Sequence, residues 1–197
     1  MRNRRPPAAL VVGAGLVVLA FGAAAEQPPP SAAVPELLHR FVPVTDAMLR
    51  QPAPENWISF RNGYGLWGHS ALTQINADTV DELRLVWSRA MQHGYQEVEP
   101  IVYNGVMFLA NVEDIVQALD ATTGDLLWEY RRNLPENIAN VTGTRYRYRN
   151  VAIYDDKIFL ATNDAFLVAL DARTGEVVWE TERADYRERV AQTAGPI

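Results

Sequence analysis

The sequence predicts an all-β protein built from β-propeller blades, and three observations support this fold class. Two segments match at a spacing of 51 residues, so the chain contains an internal repeat. Each copy consists of short apolar runs separated by turn residues, which is typical of a four-stranded propeller blade. The runs lack the 3.6-residue periodicity over ten or more positions that a helical repeat needs.

Each copy of the repeat combines strands and turns in the same order. In the first copy a turn at Tyr103-Asn104-Gly105 precedes an apolar strand, Val106 to Ala110. A second strand, Ile115 to Leu119, leads to a tight turn that begins at Asp120, and a last strand then carries Trp128. The corresponding parts of the second copy are Tyr154-Asp155-Asp156, Lys157 to Thr162, Ala165 to Leu170, Asp171 and Trp179.

The tight turn has the pattern Asp-x-x-Thr-Gly, and its residue types explain its shape. An Asp side chain can accept hydrogen bonds from nearby backbone amides, and Gly accepts a positive φ. A Trp that recurs at the same place in each repeat most often packs one blade against the next. We therefore expect Trp128 and Trp179 to have packing roles, and a fainter copy, Leu83 to Ser88, carries Trp87 in the same way.

The composition excludes several classes of function. The formal net charge is −6, with 24 acidic against 18 basic residues, which argues against nonspecific binding to nucleic acid. The chain contains no cysteine, so it has no disulfide framework, no thiolate metal site and no cysteine nucleophile. Its three histidines are scattered without the spacing of metal ligands.

The N-terminus has the pattern of a secretory signal peptide. Basic residues precede an apolar stretch, Ala8 to Phe21, and Ala23 to Ala25 supply the small residues that signal peptidase requires. A retained membrane anchor over Pro6 to Ala25 is the alternative, which the early prolines and small residues disfavour. We expect residues 1–25 to be cleaved and the protein to be periplasmic without stable membrane insertion. Residues 26–55 are expected to form a flexible Pro/Ala-rich lead-in and an entry segment.

The repeat pattern Ala-x-Asp-Ala-x-Thr-Gly-x-x-x-Trp resembles the tryptophan-docking repeat of the pyrroloquinoline quinone (PQQ) dependent alcohol dehydrogenases. Upstream, Trp57 to Asn62, Gly68 to Asn76 and Val80 to Trp87 resemble the N-terminal segment that closes the propeller of this methanol and ethanol dehydrogenase family. The resemblance covers Asn56 to Ile197. It implies an enzyme that oxidises small alcohols with PQQ and Ca²⁺ and passes electrons to a cytochrome c.

The resemblance assigns three cofactor-binding residues. Glu97, in Glu97-Val98-Glu99-Pro100, resembles the Glu of the family's Glu-x-x-Pro, which hydrogen-bonds the quinone. Arg149 lies eight residues before Lys157, where the family has an Arg that pairs with the quinone, and Thr193 resembles a Thr that bonds a cofactor carboxylate. Without the resemblance, we would interpret Glu97 as a solvated acid in a loop. Arg149 would be part of a solvated basic run, and Thr193 would be an ordinary residue of a strand.

The chain also departs from the family pattern. The adjacent cysteines that form a disulfide over the quinone would fall at Gly143 and Thr144, and both are replaced. The Ca²⁺ ligands and the catalytic Asp of the family lie on later blades, so we expect them beyond the end of this chain. About two blades are expected here, whereas a closed propeller has roughly four to eight. We therefore expect a truncated chain with little turnover of its own. A noncatalytic propeller that acts as a periplasmic binding or assembly scaffold is the alternative function.

Overall fold

The computed structural model describes residues 34–143, 150–190 and 195–196, together with the backbone of residues 147–148. Strands dominate this part of the chain, and the helices in it are short. The strands are β1 (Tyr95–Gln96), β2 (Ile101–Tyr103), β3 (Val106–Asn111), β4 (Ile115–Asp120), β5 (Leu126–Arg131), β6 (Arg147–Tyr148), β7 (Ala152–Tyr154), β8 (Lys157–Ala161), β9 (Phe166–Asp171) and β10 (Val177–Glu182). The α-helices are α1 (Asp46–Arg50) and α2 (Ile138–Thr142), and 3₁₀ turns span Glu36–Leu38, Val80–Glu82, Val112–Asp114 and Tyr186–Glu188.

Two four-stranded antiparallel sheets form the two blades. Blade 1 runs β2-β3-β4-β5 and blade 2 runs β7-β8-β9-β10, each with neighbouring strands paired in chain order. The all-β fold class and the four-stranded blade are therefore confirmed. The first strand of each blade is only three residues long and merges with the turn that follows it, so the sequence pattern indicated the other three strands more clearly.

The turn between the last two strands has the hydrogen bonds that its sequence predicts. In blade 1, Asp120 Oδ1 accepts from the backbone N–H of Thr122 at 2.8 Å and from its hydroxyl at 2.6 Å. These bonds hold the pKa of Asp120 below its usual value. Gly124 has a φ of 76° and donates from its N–H to Asp120 O at 2.8 Å, which closes the turn.

The tryptophans pack one repeat against the next. Trp128 of blade 1 donates from Nε1 to the carbonyl oxygen of Ala172 in blade 2 at 3.0 Å. Its ring also covers Gly175 so closely that a Cβ at that position would lie 2.5 Å from Trp128 Cε3. The packing role expected for Trp128 is therefore confirmed, and the Gly of the turn is needed for close approach as well as for its φ.

The faint third copy of the repeat uses the same contact. Trp87 donates from Nε1 to Ala121 O at 3.1 Å, and a Cβ on Gly124 would lie 2.7 Å from the Trp87 ring. The surrounding segment, residues 83–88, has no strand partner among the described residues. Through Trp87, this segment packs against blade 1 in the way that the last strand of a preceding blade would. The other strands of such a blade are absent from the described residues.

Residues 34–66 pack along both blades. Leu38 and Val44 are buried in the same apolar core as the blade residues Phe108 and Ile158. Val44 forms a β-bridge with the β7–β8 turn, and Trp57 forms one with Val102 on the edge strand β2. Much of the segment expected as a lead-in thus contributes to the core.

Helix α2 lies in the connection between the two blades and is not indicated by the sequence pattern. It ends at Gly143, whose φ of 71° is the left-handed conformation of a helix C-terminus. Gly143 is the first of the two positions at which the resemblance places a cysteine pair, and Thr144 lies outside the described residues. No helix in the described ranges is long and apolar enough to cross a membrane. Residues 1–25, assigned to the signal peptide, also lie outside these ranges.

Candidate functional site

Glu97 lies at one end of blade 1. In an antiparallel sheet the connections alternate between its two ends, so the β3–β4 turn and the segment that leads into β2 share one end. Gln92 confirms this placement, because its Nε2 donates to Glu113 Oε2 in the β3–β4 turn at 3.2 Å. We call this end of the blades, defined by residues 91–99 and 112–114, the site end. Glu97 is exposed there.

The two acids of Glu97-Val98-Glu99 have different roles. Glu99 is half-buried, and its Oε1 accepts from Trp57 Nε1 at 2.5 Å and from the backbone N–H of Arg61 at 2.7 Å. Its carboxylate therefore joins the N-terminal segment to blade 1. Glu97, in contrast, is an exposed residue at the site end.

An amide network supports the backbone beside Glu97. Gln96 is partly buried, and its Nε2 donates to Asn111 Oδ1 at 2.5 Å and to Gln92 O at 3.1 Å. Its Oε1 is buried and accepts no hydrogen bond from the described residues. The Gln96 side chain therefore ties the residue before Glu97 to Gln92 and to strand β3.

The residues that flank the three predicted cofactor-binding positions converge on one place. Strand β1 pairs in parallel with β6, and Gln96 is opposite Tyr148. Asn150 Oδ1 accepts from the backbone N–H of Glu99 at 2.8 Å. A Cβ on Gly195 would lie 2.2 Å from Asn150 O, so the two backbones are in close contact. Arg149 and Thr193 themselves lie outside the described residues, and with Glu97 they remain predictions.

The described residues contain no cluster of metal-ligating side chains, but an apolar cleft lies near Asn150. No group of three or more His, Asp or Glu side chains within them could hold a metal ion. A cleft of about 440 Å³ lies between the N-terminal segment and β7, lined by residues such as Ile58, Val151, Phe159 and Pro196. Its mainly apolar lining suits packing better than it suits binding of an anionic cofactor.

A buried polar cluster that sequence reasoning missed joins the two blades. Asp114 is fully buried and accepts from the backbone N–H and the Nδ2 of Asn163, both at 2.6 Å. Burial raises its pKa to about 7, against the opposing effect of these hydrogen bonds. Arg132 donates from Nε to both carboxylate oxygens of Asp164 at 2.9 Å and from a terminal nitrogen to Glu180 at 2.6 Å. These contacts span 32 to 49 residues of sequence, so no local motif indicates them.

Comparison with known proteins identifies the family. A family model described as "PQQ: Glucose/ethanol/alcohol dehydrogenase, beta-propeller domain" matches residues 57–181, which is more than half of the chain. The chain belongs to this family. The resemblance inferred from the docking repeat is therefore confirmed.

Individual relatives agree with this assignment. The chain is 38% identical over 127 residues to the dehydrogenase subunit of alcohol dehydrogenase (quinone) from Gluconobacter oxydans, covering 64% of this chain and 17% of the relative. It is 39% identical over 113 residues to 1-butanol dehydrogenase (cytochrome c) from Thauera butanivorans, covering 57% and 16%. Quinohemoprotein alcohol dehydrogenase ADHIIG from Pseudomonas putida HK5 superimposes with a TM-score of 0.72 at 31% identity, covering 79% of this chain and 24% of that one. The chain thus spans about a sixth of the length of the two relatives.

The residue types predicted at the site end fit PQQ, an aromatic quinone with several carboxylates. The exposed Glu97 can accept a hydrogen bond, and Asn150, which follows Arg149, contacts the backbones of Glu99 and Gly195. Guanidinium and hydroxyl groups are suitable donors to carboxylate and quinone oxygens. The described residues offer no comparable fit for Ca²⁺.

Proposed function

We propose that this chain is the N-terminal part of a periplasmic quinoprotein that oxidises alcohols with PQQ and Ca²⁺ and passes electrons to a cytochrome c. The observation that carries the proposal is that Asn150 contacts both Glu99 and Gly195. These three residues lie within two positions of Arg149, Glu97 and Thr193, respectively, in the sequence. The printed names of the relatives include both a quinone-linked and a cytochrome c-linked alcohol dehydrogenase, which supports the reaction class. Export through the cleaved signal at residues 1–25 is part of the proposal.

In this proposal, the role of the chain is to bind and orient the cofactor. PQQ, when bound, supplies the chemistry that accepts a hydride from the alcohol. Glu97 would accept a hydrogen bond from the cofactor, Arg149 would donate to a carboxylate or quinone oxygen, and the Thr193 hydroxyl would donate to a cofactor carboxylate. The family's base and Ca²⁺ ligands would come from later blades, so we assign neither role to an acid described here.

The first experiment measures PQQ binding by the protein expressed from its complete reading frame. We expect saturable binding and reduction of an artificial dye by simple alcohols when PQQ and Ca²⁺ are added. The chain of residues 26–197 alone should give little or no dye reduction. Absence of PQQ binding by the complete product would overturn the dehydrogenase assignment and favour a noncatalytic propeller. Robust turnover by residues 26–197 would contradict the assignment of the base and the metal ligands to later blades.

A charge-matched pair of variants tests the role of Glu97. Glu97→Gln should raise the Kd for PQQ about tenfold, because a hydrogen bond to a charged group contributes on the order of 1.5 kcal/mol. Glu55→Gln changes an exposed acid in the N-terminal segment and should leave the Kd unchanged. Equal Kd values for Glu97→Gln and the unmodified protein would remove Glu97 from the proposed site.

A further inference from the structure

Asn150 lies at the site end, where its side-chain amide forms a hydrogen bond to a distant segment. It directly follows Arg149, and it lies between the segment that carries Glu97 and the backbone of Gly195. Its Oδ1 accepts from the backbone N–H of Glu99 at 2.8 Å, across a sequence separation of 51 residues. One side chain therefore joins two segments that each carry a proposed cofactor contact.

The other bonds around Glu99 make this joint rigid. The Glu99 carboxylate is held by Trp57 Nε1 and the backbone of Arg61, so its side chain cannot follow a shift of its own backbone freely. On the other side of Glu97, Gln96 is held by Asn111. Glu97 thus lies between Gln96 and Glu99, which are both held by hydrogen bonds, and the backbone N–H of Glu99 is held by Asn150.

Gly195 adds a steric restraint on the same residue. Its Cα lies so close to Asn150 that a Cβ would lie 2.2 Å from the carbonyl oxygen, 2.7 Å from the carbonyl carbon and 3.0 Å from the Cα. Asn150 therefore contacts Gly195 through its backbone and Glu99 through its side-chain amide.

We propose that Asn150 is a positioning residue for PQQ, whose amide oxygen holds the Glu97 segment against the Arg149 segment. This inference rests on the proposed function. Asn150 itself makes no assumed contact with the cofactor. Loss of its amide would leave the Glu99 N–H without an acceptor in a half-buried position and would let the Glu97 backbone move relative to its neighbours.

Asn150→Ala is the informative variant, and Asn56→Ala is its matched control. Asn56 Oδ1 accepts from the backbone N–H of Asn104 at 3.0 Å, so it also joins two distant segments through one amide oxygen. This second bond lies at the β2–β3 turn, the opposite end of blade 1 from Glu97. Both substitutions remove one long-range hydrogen bond, but only one removes it from the site end.

Two measurements on the protein from the complete reading frame separate positioning from general stability. Without cofactor, amide hydrogen exchange of the peptide spanning residues 97–100 should be about tenfold faster in Asn150→Ala and unchanged in Asn56→Ala. With PQQ, the Kd should rise about fivefold in Asn150→Ala only, in keeping with the usual net effect of one hydrogen bond. In a Glu97→Gln background, Asn150→Ala should raise the Kd less than twofold, because its effect acts through Glu97.

The outcomes distinguish this inference from the proposed function. Equal exchange rates and Kd values for the two Asn variants, in a protein that binds PQQ, would overturn the positioning role alone. Fully additive effects of Glu97→Gln and Asn150→Ala would show that Asn150 acts independently of Glu97 and would also overturn it. If the unmodified protein binds no PQQ, the proposed function fails, and faster exchange in Asn150→Ala would then assign Asn150 a purely structural role.

Discussion

Among the residues that the structure describes, Asp114 has an unusual environment for an acid. Its carboxyl is fully buried between the blades, with Arg132 and Asp164 as the charged groups that face it. Both of its oxygens accept hydrogen bonds from Asn163, which favours the charged form, but burial outweighs them and raises the pKa to about 7. The carboxyl is therefore easier to protonate in the folded protein than in the unfolded chain.

This pKa predicts a pH-dependent stability. Because the folded pKa lies above the unfolded value, the contribution of Asp114 to the free energy of unfolding is fully present below about pH 4 and is lost as the pH rises to about 7. Asp114→Asn should remove this slope, which is at most about 1.4 kcal/mol per pH unit for one group. Urea unfolding at several pH values between 4 and 8 measures the difference.

The control for this prediction is Asp81→Asn, which changes an exposed aspartate in the N-terminal part of the chain. Its unfolding free energy should keep the pH slope of the unmodified protein. If Asp114→Asn keeps that slope as well, the Asp114 carboxyl does not titrate between pH 4 and 7, and the inter-blade cluster is not a source of pH dependence.

At the scale of elements, the tight turn and the tryptophan form one packing unit. Gly175 has a φ of 74°, and Trp128 of the preceding blade lies directly over its Cα. Gly105 has a similar φ of 80°, but nothing lies within 4 Å of the position of a Cβ there. Both glycines therefore have a positive φ, but only Gly175 is also in contact with a tryptophan of the preceding blade.

This pair separates backbone strain from blade packing. Gly105→Ala should lower the free energy of unfolding by roughly 1–2 kcal/mol, which is the cost of a left-handed conformation for an L-residue. Gly175→Ala should cost about 1–3 kcal/mol more, because the new methyl group also displaces the Trp128 ring. Denaturant unfolding of both variants measures the difference, and equal losses would contradict the packing role of the turn.

At the scale of the whole molecule, the described residues leave apolar surface uncovered at both ends of the row of blades. Leu85 and Val86, beside the docked Trp87, are 85% and 80% exposed. In β10 the exposed residues include Val177, Val178 and Trp179, the last at 38%. Trp179 has no contact corresponding to that of Trp128 on Gly175 within the described ranges. Strand edges and apolar faces of this kind promote association with further polypeptide.

We expect the isolated chain of residues 26–197 to self-associate through these surfaces. Val86→Lys should lower the associated fraction at a given concentration, because a charge on the uncovered segment disfavours strand pairing. Ile75→Lys changes a residue that is 64% exposed but lies in a bend, and it should have a smaller effect. Sedimentation velocity at a series of concentrations compares them, and equal effects would show that the segment 83–88 has no special role.

The sequence by itself determined the blade and the contact between blades. The Asp-x-x-Thr-Gly turn is a local pattern that recurs after 51 residues, and it makes the same hydrogen bonds in both copies. The recurring Trp makes the same contact with the next turn at Trp87 and Trp128. The resemblance built on them was sufficient to identify the family and to name Glu97. Short-range chemistry specifies these features, so they can be read without knowing which segments meet.

Only the tertiary structure decided how the site is held together. It distinguishes Glu97 from Glu99, because Trp57, 42 residues away, donates a hydrogen bond to the Glu99 carboxylate. It also brings Asn150 to Glu99 and Asn163 to Asp114 across separations of 51 and 49 residues. Such pairings arise from the way the blades stack and the N-terminal segment covers them, and an isolated Asn or Asp in the sequence carries no sign of its distant partner.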